Sequence, residues 1–301
     1  MKWTPGADNG DVVDERGASV GGGGGGGGWG APHYIGGGGG AVLVIYLVAR
    51  LFGVDLGGIL GGGSSSDQSG PVAGPHDNDT AHPQTGPDPD AELVQFVKFV
   101  TTDVENVDTK LFEAEGKPYR RAKLVLFSHE INTGCGLSSS EVGPFYCPAD
   151  EHVYIDLSFY KELRQRFGAP GNFAQAYVIA HELGHHIQNL LGIEQKVQSH
   201  AIGPRGETRN ESSVRLELQA DCFAGVWGHA AQGKGLLEPG DVEGALTAAS
   251  AIGDDRLQKQ AGRSVNPESF THGTSAQRMK WFKRGFDGGT LESCDTFSGE
   301  I

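Results

Sequence analysis

The stretch FAQAYVIAHELGHHIQNLL, Phe173 to Leu191, decides how this chain is read. Asn172 before it suits an N-cap and Gly192 after it suits a helix stop, so the spacing predicts a helix of about five turns. Within it, His181-Glu182-Leu183-Gly184-His185 forms an HExxH pattern. Residues four apart share a helix face, so both imidazoles can reach one ion, with Glu182 beside it to accept a proton from a bound water. Neutral imidazole and carboxylate suit zinc, one ion per chain. The apolar approach Tyr177 to Ala180 should bury the helix, and buried histidines need partners.

A catalytic zinc takes three protein ligands and keeps a position open for water. The longer pattern HExxHxxGxxH fails here, because Gln188 and Leu191 stand at its glycine and third histidine. The third ligand is therefore expected on a second helix. Ser213 to Gly225 reads SVRLELQADCFAG, placing Glu217 and Asp221 one turn apart on one face. Glu217 can complete a His, His, Glu set, and Asp221 can accept the free ring N–H of a ligand histidine. Glu207 and Glu211 are alternatives, but neither has an aspartate four residues on.

Composition sets the rest of the plan. Of 49 glycines, 25 lie in residues 1–74, where they supply no side chains for a core. The net charge of −14 comes with no basic block, which argues against nucleic acid as a partner. Residues 1–40 read as a disordered, glycine-rich segment. Residues 41–60, AVLVIYLVARLFGVDLGGIL, form the only long apolar run and are expected to make a single transmembrane helix, the alternative being an amphipathic or partly buried helix packed on another part of the protein. Arg50 and Asp55 are costly in lipid. The few basic residues place the N-terminus in the cytoplasm and the main domain outside the cell membrane. Residues 61–90 read as a flexible linker.

Residues 91–301 then form one domain. Asp90 suits an N-cap before a helical stripe of Leu93, Val94, Phe96, Val97, Val100 and Val104. Lys123 to Phe127 and His152 to Asp156 read as strands, and the chain after Gly171 is mostly helical, which gives an α+β class. Four cysteines carry no CxxC spacing. Cys135 and Cys147 bracket a turn-rich loop and suit one disulfide, leaving Cys222 and Cys294 as the second pair, consistent with an oxidising compartment. Four free thiols in a cytoplasmic protein is the alternative.

HELGHHIQNLLG followed by RLELQADCFAGVW resembles the neutral zinc metallopeptidase family of bacterial membrane-anchored proteins, and is more distantly similar to gluzincin peptidases. Val142 to Tyr160 and Phe270 to Phe282 share the first resemblance. It implies a zincin-like domain in which a strand beside the HExxH helix binds an extended peptide, with His152 to Asp156 as candidate. It also implies roles for His272, donating to an oxyanion, and Arg278, bracing the site. Gluzincins with this spacing usually carry proline after that histidine, whereas Gly273 follows here.

The sequence thus predicts a membrane-anchored zinc endopeptidase acting on a peptide or protein substrate, with Glu182 as general base. A tethered zinc-binding scaffold and a zinc hydrolase of a non-peptide amide are the alternatives. His186 is expected off the ligand face, and the remaining histidines have no partner spacing.

Overall fold

The structure is a computed structural model that describes residues 1–7, 10–18, 87–169, 171–199, 208–262 and 264–301. The expected span 41–60, most of the expected 61–90 linker, Glu207, His33, His76, His82 and His200 lie outside the described residues. Among the described residues no helix is long and apolar enough to cross a membrane.

The fold is mixed α+β. A four-stranded sheet runs in the order β1 (Val12–Asp14), β2 (Lys123–Phe127), β6 (His152–Asp156), β5 (Phe145–Cys147). The first three strands are parallel and β5 is antiparallel to β6. A separate hairpin, β3 (Glu130–Thr133) with β4 (Gly136–Ser139), lies between β2 and β5 in the chain. Side chains alternate across a strand, so β2 serves two cores. Leu124 and Leu126 join the main helical core, while Val125 and Phe127 face a smaller cluster with Ile131, Val142 and Tyr154.

Helix α1 (Ala91–Ala114) buries Val94, Phe96, Val97, Val100 and Val104 in the main core, the stripe its spacing predicts. After β6 come α2 (Ser158–Gln165), α3 (Asn172–Leu190), α4 (Ile193–Gln198) and α5 (Arg209–Gly233). Then follow α6 (Asp241–Ala251), α7 (Asp254–Gln260) and α8 (Ser275–Gly288). Helix α3 begins one residue earlier than expected, with Gly171 rather than Asn172 at the N-cap, and Gly192 adopts the left-handed φ of 63° that ends it.

Two close helix crossings position the site. A Cβ on Gly184 of α3 would meet the Ala220 carbonyl of α5 at 3.0 Å. Between α5 and α8, a Cβ on Gly225 or Gly285 would fall about 2 Å from the facing backbone oxygens of Phe282 and Cys222. Hydrogen in place of a side chain lets these three helices approach until their polar residues share one pocket. Both expected disulfides are formed, Cys135–Cys147 and Cys222–Cys294.

Two expectations need correction. The N-terminal forty residues are not disordered throughout, because Val12–Asp14 is the edge strand β1 and Trp3 packs against Phe96 and Phe99. Asp88 at the end of the expected linker is likewise held, by Arg16 at 2.7 Å. The second correction concerns the expected peptide-binding strand. β6 is interior, with both edges occupied by β2 and β5, and of the sheet's two edge strands among the described residues, β1 and β5, it is β5 that lines the cavity.

Candidate metal centre and cleft

His181 and His185 lie one turn apart on α3, and Glu217 faces them from α5 across the Gly184–Ala220 contact. Their ligand atoms all fall within 4.8 Å of one another, so the three side chains can hold a metal ion. Glu217 Oε2 is 3.3 Å from His181 Nε2, and its Oε1 is 3.6 Å from His185 Nε2. Both imidazoles therefore turn Nε2 inward and keep Nδ1 for an orienting partner.

Those partners are in place. Asp221 Oδ1 lies 3.0 Å from His181 Nδ1. Gln188 Oε1 lies 2.9 Å from His185 Nδ1, while its amide donates to the Leu216 carbonyl at 2.7 Å and the Gln219 side chain at 3.1 Å. The residue that breaks the longer histidine pattern thus orients the second ligand. An orienting acceptor fixes the tautomer and makes the ligand more basic.

Arg278 of α8 grips Asp221 through Nε and Nη2, both at 2.8 Å. Tyr177, one turn before His181, donates to Asp221 as well. Both Asp221 and Arg278 are buried, where an unpaired charge would cost several kcal/mol, so the pair stabilises the site only as a unit. Arg278 braces the centre, as the resemblance implies. Glu211 belongs elsewhere: with Thr208 it forms the capping box of α5.

The centre opens on a cavity of about 390 Å³. Glu182, His272 and Glu194 line it beside the three ligand residues, with Val142, Phe145 and Phe159 on its apolar side. Burial raises the Glu182 pKa above the usual carboxylate value. Burial opposes charge on His181, but the Asp221 and Glu217 carboxylates outweigh it and bring its pKa to about 10. Burial also works against Glu217 as an anion, yet its bond to His181 and the charges of His185 and His272 hold it well below the carboxylate range. The centre is built to hold positive charge.

His272 is held by a residue that sequence reasoning missed. Asp254 Oδ2 accepts the backbone N–H groups of Thr271, His272 and Gly273 at 2.7, 2.6 and 3.0 Å. Its Oδ1 lies 3.2 Å from His272 Nδ1. Gly273 has a φ of 87°, outside the range of proline, and donates an N–H that proline lacks. The departure from the gluzincin pattern is therefore part of how Asp254 binds the His272 turn. Nothing local marked Asp254, since its partners are some eighteen positions away. Gln188, three residues after His185 on one helix, was readable from spacing alone.

The other histidines among the described residues are accounted for locally. His186 is buried off the ligand face between the Tyr146 hydroxyl at 3.0 Å and the Arg120 carbonyl at 2.6 Å. His229 contacts the Phe286 carbonyl, and His152 stands 3.5 Å from Asp150. His129 has a φ of 66° at the turn between β2 and β3.

Two helices that bring HExxH and ExxxD to one buried centre define the class: three side chains able to hold a metal ion beside an open cleft. The chain belongs to the family described as "Putative neutral zinc metallopeptidase", which matches residues 1–297. It is 47% identical over 302 residues to the uncharacterized protein YpfJ of Escherichia coli strain K12, covering all of both chains. It is 43% identical over 261 residues to the uncharacterized protein Rv2575 of Mycobacterium tuberculosis, covering 83% of this chain and 85% of that one. No solved structure matches the chain.

Proposed function

We propose that this protein is a membrane-attached, zinc-dependent endopeptidase with a gluzincin-type centre. The observation that carries the reading is the juxtaposition of His181, His185 and Glu217 within 4.8 Å, with Glu182 in the same cavity. The donor set suits zinc, because two imidazoles and one carboxylate leave a coordination position free. Bound there, zinc lowers the pKa of a coordinated water to about 7 and polarises a carbonyl.

The chain's own residues do the rest. Glu182 accepts the proton of the attacking water and passes it to the leaving amine, a task suited to a carboxyl whose pKa burial has raised. His272 presents Nε2 to the cleft, because Nδ1 faces Asp254, and donates to the oxyanion that develops on the scissile carbonyl. The free edge of β5, whose Phe145 and Tyr146 line the cavity, offers backbone groups to an extended substrate.

The decisive experiment uses Glu182→Gln. We expect zinc near one per chain by elemental analysis, with hydrolysis of a peptide library lost. Full activity in this variant would overturn the mechanism. A wild-type protein that binds zinc but cleaves only non-peptide amides, or nothing, would favour one of the two alternatives.

A further inference from the structure

Arg16 Nη2 and Asp88 Oδ2 meet at 2.7 Å, although residues 19–86 lie between them in the chain. Arg16 also pairs with Asp14 at 2.7 Å and lies 3.5 Å from Asp90, so two described segments far apart in the chain are clasped together. The clasp is one part of a longer attachment. Val12, Val13 and Asp14 pair in register with Leu124, Val125 and Leu126. The ladder is extended by Leu124 N–H to the Asp11 carbonyl at 2.8 Å and Glu15 N–H to the Leu126 carbonyl at 2.7 Å. Arg121 donates to the buried Asp11 carboxylate at 2.6 Å. Further back, Lys2 N–H reaches the Leu236 carbonyl at 2.7 Å, and Trp3 sits edge-on to Phe96.

A helix that crosses a bilayer once separates its flanks by a hydrocarbon core about 30 Å thick. Residues 1–18 cannot be across that distance and also pair with β2. Separating them would open one side of β2, take the Asp11 carboxylate away from Arg121 and strip Trp3 from α1.

We infer that residues 1–18 and 87–301 stand on the same side of the membrane. The inference rests on the membrane attachment in the proposed function and is independent of its chemistry.

The test uses the full-length chain in bacterial spheroplasts. Val13→Cys and, separately, Val265→Cys place a thiol at exposed positions in each part. Thr4→Cys serves as a second reporter should Val13→Cys disturb β1. Each variant is exposed to a membrane-impermeant maleimide before and after lysis, with the unsubstituted chain as blank, and cell fractions are separated. The expected result is a membrane-bound protein whose two reporters behave alike, both labelled before lysis or both only after it. Labelling of one reporter before lysis and the other only after would overturn the same-side arrangement. Recovery of the chain wholly in the soluble fraction would overturn the membrane attachment, and with it the same-side arrangement. Neither readout requires enzymatic activity, so the peptidase reading stands or falls separately.

Discussion

Asp221 Oδ1 lies 3.0 Å from His181 Nδ1, and the same carboxylate is gripped by Arg278. The expected effects of substitution follow from this geometry. Glu217→Ala removes one of three ligands and should abolish stoichiometric zinc binding, as read by elemental analysis after dialysis. Asp221→Asn keeps the shape but removes the charge that orients His181, and should weaken zinc about 10–100-fold in a chelator competition. Unchanged metal content in Glu217→Ala would mean that another carboxylate serves as the ligand.

Asp254→Asn tests how His272 is held. The amide preserves volume and can still accept backbone N–H groups, but it cannot supply the negative charge facing Nδ1. We expect unchanged zinc content and a kcat reduced about 10–100-fold, short of the roughly 100–1,000-fold that outright loss of an oxyanion donor costs. His272→Ala should cost as much or more, and the double variant should be no worse than His272→Ala. Additive losses would place Asp254 outside the action of His272.

Glu105 gives a pH-dependent stability. It is wholly buried on α1, where burial pushes its pKa to about 8 while Arg121 and the Ala122 N–H pull it back. Among the described residues its Oε2 has no hydrogen-bond partner, and neither does Oδ2 of the neighbouring Asp108. Since the folded pKa exceeds the unfolded value of about 4.3, the folded chain keeps a proton that the unfolded chain has released. This contribution to stability therefore falls as pH rises from about 4 to about 8, by roughly 3–5 kcal/mol at most. Glu105→Gln should raise Tm by several degrees at pH 8.5 and leave it nearly unchanged at pH 4, as followed by circular dichroism.

The two disulfides should separate stability from substrate binding. Cys222–Cys294 closes 72 residues and Cys135–Cys147 closes 12. Loop entropy then assigns them about 4 and about 3 kcal/mol respectively. Cys222 follows Asp221 on α5, so replacing that pair by alanines should lower Tm further and weaken zinc. Cys147 ends β5, so replacing Cys135 and Cys147 should raise KM for peptides while zinc content holds.

The elements that were legible in the sequence are those that need only local information. Helix α3 announced itself through its apolar face, and Glu217 with Asp221 through their four-residue spacing. The β2 and β6 strands, the α1 stripe and both cysteine pairs were equally readable. Strand β1 was not, because Val12 to Asp14 is three residues in glycine-rich surroundings and becomes a strand only beside β2. The β5 edge was hidden for a related reason: a strand's alternation shows its two faces, not which neighbours its edges acquire.

By itself, the sequence determined which side chains form the candidate metal site. HExxH on a helix puts two imidazoles on one face whatever surrounds it, and ExxxD does the same for its carboxylates. Only the tertiary structure decided that these faces meet, since that depends on glycines allowing α3, α5 and α8 to close in. It also decided that Asp254 would hold His272 and that Arg16 would find Asp88. Such partners are chosen by packing across long stretches of chain, and no local spacing records them.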